Sequence, residues 1–407
     1  MKKIIVGCVI VVIVIFCCYK IYHKNHNQKI KIVLASWSAS PQEQQDLNKL
    51  IANFEKLHPN IQVDNEVIAQ NYMQVIQMQI IGNNAPDVFY LNADVAPQWM
   101  SSGALEPLNT YITPSFDISD FYPNLLGAFS QNGNIYGIPK DVSDLVLFYN
   151  KKLFAQYNLQ PPTTWAEIRE DAKILTRNGV YGFGEEPQMA RQYYLLAQVG
   201  NIISGSSVDL TSPKFINALQ PIIDQHLVAK TSVMPSQVGA SWGGDMLGQG
   251  HVAMVIEGNW AMPYLAQAFP DLEYGTVPLP EYQGKISTLA YPVAYAMSSS
   301  SKQKKASWEL IAYLTGKEGM LIHSQDLQQL PTRMSVINQL GWVNNPIYQS
   351  YIKSLPTATI AQDGPYFAII ESCFDNQFLS AYLGEQSLKT AMQKAQKDIN
   401  LQIYLNE

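Results

Sequence analysis

Three tryptophans sit where a flat apolar surface and hydrogen-bonding groups come together. Trp37 is followed by Ser38. Trp242 lies in Ser241-Trp242-Gly243-Gly244, where Gly243 lets a ligand approach the backbone. Trp260 closes the run Glu257-Gly258-Asn259-Trp260. An indole can lie beneath a ring face made of C–H groups and exclude water from it. Carboxylates and amides bond hydroxyls, and the charge-assisted bonds are the stronger ones. An apolar face with a rim of hydroxyls is the chemistry of a sugar. Each such hydrogen bond contributes only ~1 kcal/mol net, so several must act together. Asp94, Glu257 and Asn259 are the polar candidates, with Asn92 just before Asp94.

These residues follow apolar runs that read as strands. Lys29 to Leu34, Ile61 to Ile68, Val88 to Leu91 and Val252 to Ile256 are such runs. Between the first two, Leu47, Leu50, Ile51, Phe54 and Leu57 recur at helical spacing. Pro41-Gln42-Glu43 after Ser40 starts that helix, and His58-Pro59 stops it. A further helix is predicted from about Met73 to Ile81. A strand-helix-strand unit of this length implies a right-handed parallel crossover, hence an α/β lobe with a mainly parallel sheet flanked by helices. In such sheets ligands bind beyond the carboxyl ends of the strands. That rule places Trp37, Ser38, Asn92, Asp94, Glu257, Asn259 and Trp260 at a site. Further on, Thr211-Ser212-Pro213 starts another helix, Tyr291 to Met297 is a strand, and Lys305 to Leu314 is a helix. Tyr291 and Tyr295 alternate with Val293 and share a face. Thr164 and Glu167 form a capping box, and Asn178-Gly179 is expected to end that helix.

Five segments resemble, in order, the family 1 extracellular solute-binding proteins, the sugar-capturing components of bacterial ABC importers. They are APDVFYLNADVAPQWMSSGALEPL from Ala85, YNKKLF with PPTTWAEI from Tyr149, DMLGQGHVAMVIEGNW with VPLP from Asp245, KASWELIAYLTGKEGM from Lys305, and LPTR from Leu330. The match spans roughly residues 29 to 335. The resemblance implies a two-lobed, maltose-binding-protein-like α/β fold of type II. Its discontinuous lobes would be residues 29–145 with 290–338 and residues 146–289 with 339–407, joined by hinge crossovers. The first crossover would lie in the segment from Gly137 to Leu175, which contributes Asp141 and Tyr149 to the candidate site. The family likeness also points to Asp94, to Trp260 as a stacking platform, to Glu186 before Pro187, and to Arg333; Arg191, just beyond Pro187, has a side chain able to clamp a hydroxyl or carboxylate. Tyr291 and Tyr295 stand where the family is often glycine-rich, which predicts a narrower, more aromatic pocket. The resemblance implies delivery of a captured carbohydrate to an ABC permease by a monomer. The alternatives are a polyol or glycerol phosphate, for which Arg191 and Arg333 would be the ligands, or a sensor or adhesin that delivers no cargo.

With 407 residues, the chain is long for one core and suits two lobes. Its net charge of −6, with no basic stripe, offers nothing to nucleic acid. The six histidines are scattered, and no H-E-x-x-H, G-x-S-x-G, S-x-x-K or phosphate-loop motif is present. No metal or cofactor is therefore expected. Glycoside hydrolysis would require two facing carboxylates, for which Asp94 and Glu257 are the candidate pair. At the N-terminus, Lys2-Lys3 precede an apolar run from Ile4 to Tyr19 and then a basic segment. Residues 1–28 read as an export signal or retained membrane anchor, which puts the protein in the periplasm or at the cell surface. Cys8, Cys17 and Cys18 lie in that run and Cys373 stands alone in the body, so no disulfide braces the lobes.

Overall fold

The structure, a computed structural model, describes residues 29–37, 41–200, 203–204, 207–281, 288–360 and 366–406. β1 (Ile30–Ser36) runs parallel to β2 (Ile61–Val67) on one side and to β3 (Val88–Asn92) on the other. The helix Pro41–Leu57 makes the first crossover and buries Leu47, Leu50, Ile51 and Phe54, the residues whose spacing predicted it. The helix Tyr72–Ile81 makes the second. A ribbon of β4 (Ser130–Gln131) and β5 (Asn134–Ile135) leads into β6 (Gly137–Asn150). Then come β7 (Tyr181–Gly184), a second ribbon of β8 (Ile203–Ser204) and β9 (Ser207–Val208), β10 (Ser232–Val233), β11 (Val252–Gly258), β12 (Tyr274–Val277), β13 (Leu289–Met297) and β14 (Thr359–Ile360).

Among the described residues, the sheet runs β10-β7-β11-β6-β13-β3-β1-β2, with β12 also on β6 and β14 also on β13. Parallel strands form its outer parts, and β6 and β13 join them through antiparallel pairings. β6 is shared between the two parts. Its residues up to Asp144 pair with β13, and from Leu145 onward they pair with β11 and β12. The pairing slips between Val293 and Ala294, where Pro139 and Asp141 are their partners and Lys140 is the extra residue. A proline cannot donate to a ladder, and such bulges are where strands tolerate one. The bulge brings consecutive Lys140 and Asp141 together in one buried ion pair.

Among the described residues, three apolar clusters form the core. One joins β1, β3 and β13 to the helices Pro41–Leu57 and Lys304–Leu314. A second packs the C-terminal helices Phe367–Tyr382 and Leu388–Asn406 against the Leu147 and Met254 region of the sheet. The third lies along the crossing strands, where Tyr122, Leu125, Val142 and Leu330 meet Phe148, Met246, Tyr351 and Leu355.

The capping box at Thr164 is present in both directions, with Glu167 N–H donating to Thr164 Oγ1 at 3.1 Å and Thr164 N–H donating to Glu167 Oε2 at 3.0 Å. The helix ends earlier than expected, at Leu175. Thr176 Oγ1 donates to Ala172 O and accepts from Gly182 N–H, which peels the chain away. Asn178 (φ 53°) and Gly179 (φ 84°) instead form the tight turn between Arg177 and Val180.

Candidate functional site

A cavity of about 710 Å³ opens at the carboxyl end of β3, as the strand-end rule requires. Asn92, Asp94, Gln98 and Ser101 line one wall, from the end of β3 and the helix Ala96–Ser101. Tyr291 and Val293 of β13 form the floor. Phe367 and Glu371, in the first turns of the helix Phe367–Tyr382, complete the lining from the C-terminal part of the chain. Asn92 also borders a second depression of about 350 Å³ that contains Trp37. There the Trp37 indole stands edge-on between Tyr72 and Tyr90, with centroids at 4.9 and 4.8 Å. Ser38 lies outside the described residues.

Beside Tyr291, a charged cluster is built from the other half of the molecule. Trp260 is 37% exposed and meets the Tyr291 ring edge-on at 5.9 Å. Its Nε1–H donates to Glu257 Oε2 at 3.0 Å, and Arg191 Nη2 donates to the same oxygen at 3.0 Å. Arg191 also donates through Nε to Glu186 Oε2 at 3.2 Å, and its guanidinium lies 5.5 Å from the Trp260 ring centroid. Glu186 Oε1 accepts from the backbone N–H of Gly243 at 2.6 Å. A side chain at Gly243 would force the cluster to shift, because a Cβ would stand 2.3 Å from Glu257 Oε1 and 2.7 Å from Val255 Cγ2. Glu257 is fully buried and its Oε1 has no partner among the described residues, so burial raises its pKa well above the carboxylate range; Arg191 offsets part of that and Glu186 adds to it. Glu185, which accepts from Gln192 Nε2 at 2.7 Å, is raised to about 8, chiefly by burial. Asn259 is 2% exposed and its Oδ1 is likewise without a partner.

Asp94 in the cavity lining is open to solvent, yet desolvation raises its pKa above the usual value. Glu371 is also raised, first by burial and then by Asp375 and Asp94.

The structure removes several sequence-based candidates. Arg333 is 1% exposed and spends its donors internally, on Thr315 O at 2.7 Å, Phe116 O at 2.8 Å, Asp117 O at 3.0 Å and Asp120 Oδ2 at 3.3 Å. It lies between the rings of Phe116 and Phe121, and it stitches that loop to the end of the helix Lys304–Leu314. Tyr149 packs on Phe154 at 4.9 Å, four pairings along β6 from the Leu145–Gly258 pair that marks the carboxyl end of β11. Tyr295 does share a face with Tyr291, but it is buried against Tyr90 at 5.2 Å. Asp141 is locked between Lys140 and His323, whose Nδ1 is 2.6 Å from Asp46. Trp242 rests on Tyr264 at 4.9 Å and lines none of the cavity. Phe367 and Glu371 escaped sequence reasoning. Their i, i+4 spacing puts them on one helix face, but a helix amino end carries no strand-end signal.

The sequence model of the family described as bacterial extracellular solute-binding protein matches residues 38–321. A binding protein of Brucella abortus is 26% identical over 363 residues, covering 84% of this chain and 87% of its own. An ABC substrate-binding protein of Listeria monocytogenes, solved with cycloalternan, superposes with a TM-score of 0.79 at 24% identity, covering 92% of this chain and 99% of its own. A cyclo/maltodextrin-binding protein solved with maltotetraose gives a TM-score of 0.79 at 22% identity, covering 93% and 98%. At these identities the structural likeness concerns the fold, which is their two-lobed α/β architecture.

Proposed function

This chain belongs to the bacterial extracellular solute-binding protein family, and from that premise we propose that it captures a sugar or oligosaccharide in the cavity between its lobes and delivers it to an ABC permease. The observation that carries this is the cavity itself. Hydrogen-bonding groups (Asn92, Asp94, Gln98, Glu371) alternate there with ring-sized apolar surfaces (Tyr291, Phe367), and the half-exposed Trp260 stands beside them. Trp37, across Asn92, extends the same surface. The Listeria protein solved with cycloalternan and the cyclo/maltodextrin-binding protein solved with maltotetraose support the same class. The lobes on this view are residues 29–145 with 290–338 and residues 146–289 with 339–407. Export, retention at the membrane through residues 1–28 and a monomeric state belong to the proposal.

Two features favour binding over hydrolysis. Glu257 is fully buried and bonded to Arg191 and Trp260, so it is not available to a ring opposite Asp94. Glu186 is likewise engaged by Arg191 and Gly243. The phosphate alternative loses its support, because Arg191 and Arg333 are both neutralised within the protein. Isothermal titration against a panel of glycans, polyols and glycerol phosphate tests the proposal, with chromatography of the same mixtures for cleavage products. Saturable binding of uncleaved sugar is expected. Silence across every sugar, or turnover of one, overturns it.

A further inference from the structure

Building on the carbohydrate reading, we propose that the cavity prefers sugars bearing a protonated amine, and that Asp94 and Glu371 set this preference. Among the described residues, those lining the cavity include two carboxylates, one on the turn after β3 and one on the helix Phe367–Tyr382, and no lysine, arginine or histidine. The nearby charges are already committed. Arg191 is held by Glu186 and Glu257, and Asp375 accepts from the backbone N–H of Met189. Among the described residues, Asp94 has no cationic partner, and its carboxylate is eased only by the backbone N–H groups of its own turn, at Asp94 and Val95. Glu371 has no hydrogen-bond or ion-pair partner among the described residues, and it feels Asp94 and Asp375 as like charges.

Two carboxylates facing one partly desolvated space repel each other, and a cation between them relieves the repulsion. A neutral sugar offers them only hydroxyl dipoles. A uronic acid or sugar phosphate adds a third negative charge. An ammonium group on a ring brings three donors and a positive charge to that space. Tyr291 and Phe367 meanwhile give the ring carbons an apolar surface, which an open-chain amine cannot exploit as a ring does. The ligand class is thus a ring-bearing amine such as a glucosamine oligomer.

The test is titration of the full chain, kept in mild detergent for its apolar N-terminal run, at about pH 5.5, low enough to protonate a ring amine whose neighbouring oxygens make it no more basic than an α-amino group. The probes are a glucosamine trimer, its N-acetylated counterpart, a neutral glucose trimer, a galacturonic acid trimer and spermidine. The amine trimer is expected to bind about ten-fold or more tighter than both uncharged trimers, with a preference that shrinks as salt is raised. In Glu371→Gln and Asp94→Asn the ratio of amine to neutral affinity is expected to fall toward one, with unfolding curves confirming that both variants are folded. Equal affinity for amine and neutral trimers overturns this inference and leaves the carbohydrate reading standing. Spermidine binding as tightly as the amine trimer also overturns it, as does preferential binding of the uronic acid. Silence from every sugar overturns both.

Discussion

Arg191 joins Glu186 to Glu257 in a largely buried triad, and Trp260 leans on the same carboxylate. This fixes the indole, so its exposed face is a preorganised platform rather than a rotamer to be ordered on binding. Trp260→Ala is expected to weaken sugar binding by about 1–3 kcal/mol, by analogy with other aromatic stacking. Titration calorimetry with the best sugar checks this, and unchanged affinity removes Trp260 from the site. Glu185 makes a separate, pH-dependent prediction. Its folded pKa of about 8 lies above that of the unfolded chain, so the folded state holds the proton more tightly. Stability is therefore lost as pH rises from about 4.5 through 8. Glu185→Gln keeps the neutral shape and is expected to gain on the order of 3 kcal/mol over the parent at about pH 9, and little at about pH 4. Chemical denaturation at the two pH values measures the difference, and a constant offset refutes it.

Short elements aim these residues, and their legibility in sequence varied with how local their causes are. The helix Trp165–Leu175 was readable because Thr164 and Glu167 satisfy each other's backbone within four residues. Thr164→Ala is expected to cost about 1 kcal/mol of stability, read as a lower denaturation midpoint without loss of binding. The strands whose ends carry Asn92 and Trp260 were also readable, because both are apolar runs that stop abruptly. Arg333 was not, because its role depends on carbonyls of Phe116 and Asp117, more than two hundred residues away. Tyr295 was misassigned because alternation gives a face but not what covers it, and Asp141 because its place in the crossover segment does not reveal the Lys140 and His323 that engage it. Gly243 shows the opposite case, in which one residue type reports a tertiary constraint. Gly243→Ala would drive a methyl against Glu257 and Val255. We expect it to displace the triad and cut sugar affinity more than ten-fold, with Trp260 emission shifted; normal affinity and emission would show that the cluster can yield.

At the scale of the whole molecule, β6 and β13 are strands common to both halves, and the change of partner between Asp144 and Leu145 is where the proposed closure would flex. Two strands that continue from one half into the other can twist without breaking their ladders, which suits rigid-body closure about a hinge. The third apolar cluster packs directly along those strands, so the resting angle between the lobes is set by packing and not by an extended linker. A sugar touching Asn92, Asp94 and Tyr291 in one half and Phe367 and Trp260 in the other gains most when the halves approach. It therefore shifts the population toward closure only by its difference in affinity for the two states. Small-angle scattering should show a smaller radius of gyration on saturation with a bound sugar, and Trp260→Ala should require more ligand to reach the same contraction. Tight binding with an unchanged scattering profile would mean that the cavity is filled without lobe movement, and a permease would then have to recognise something other than the closed shape.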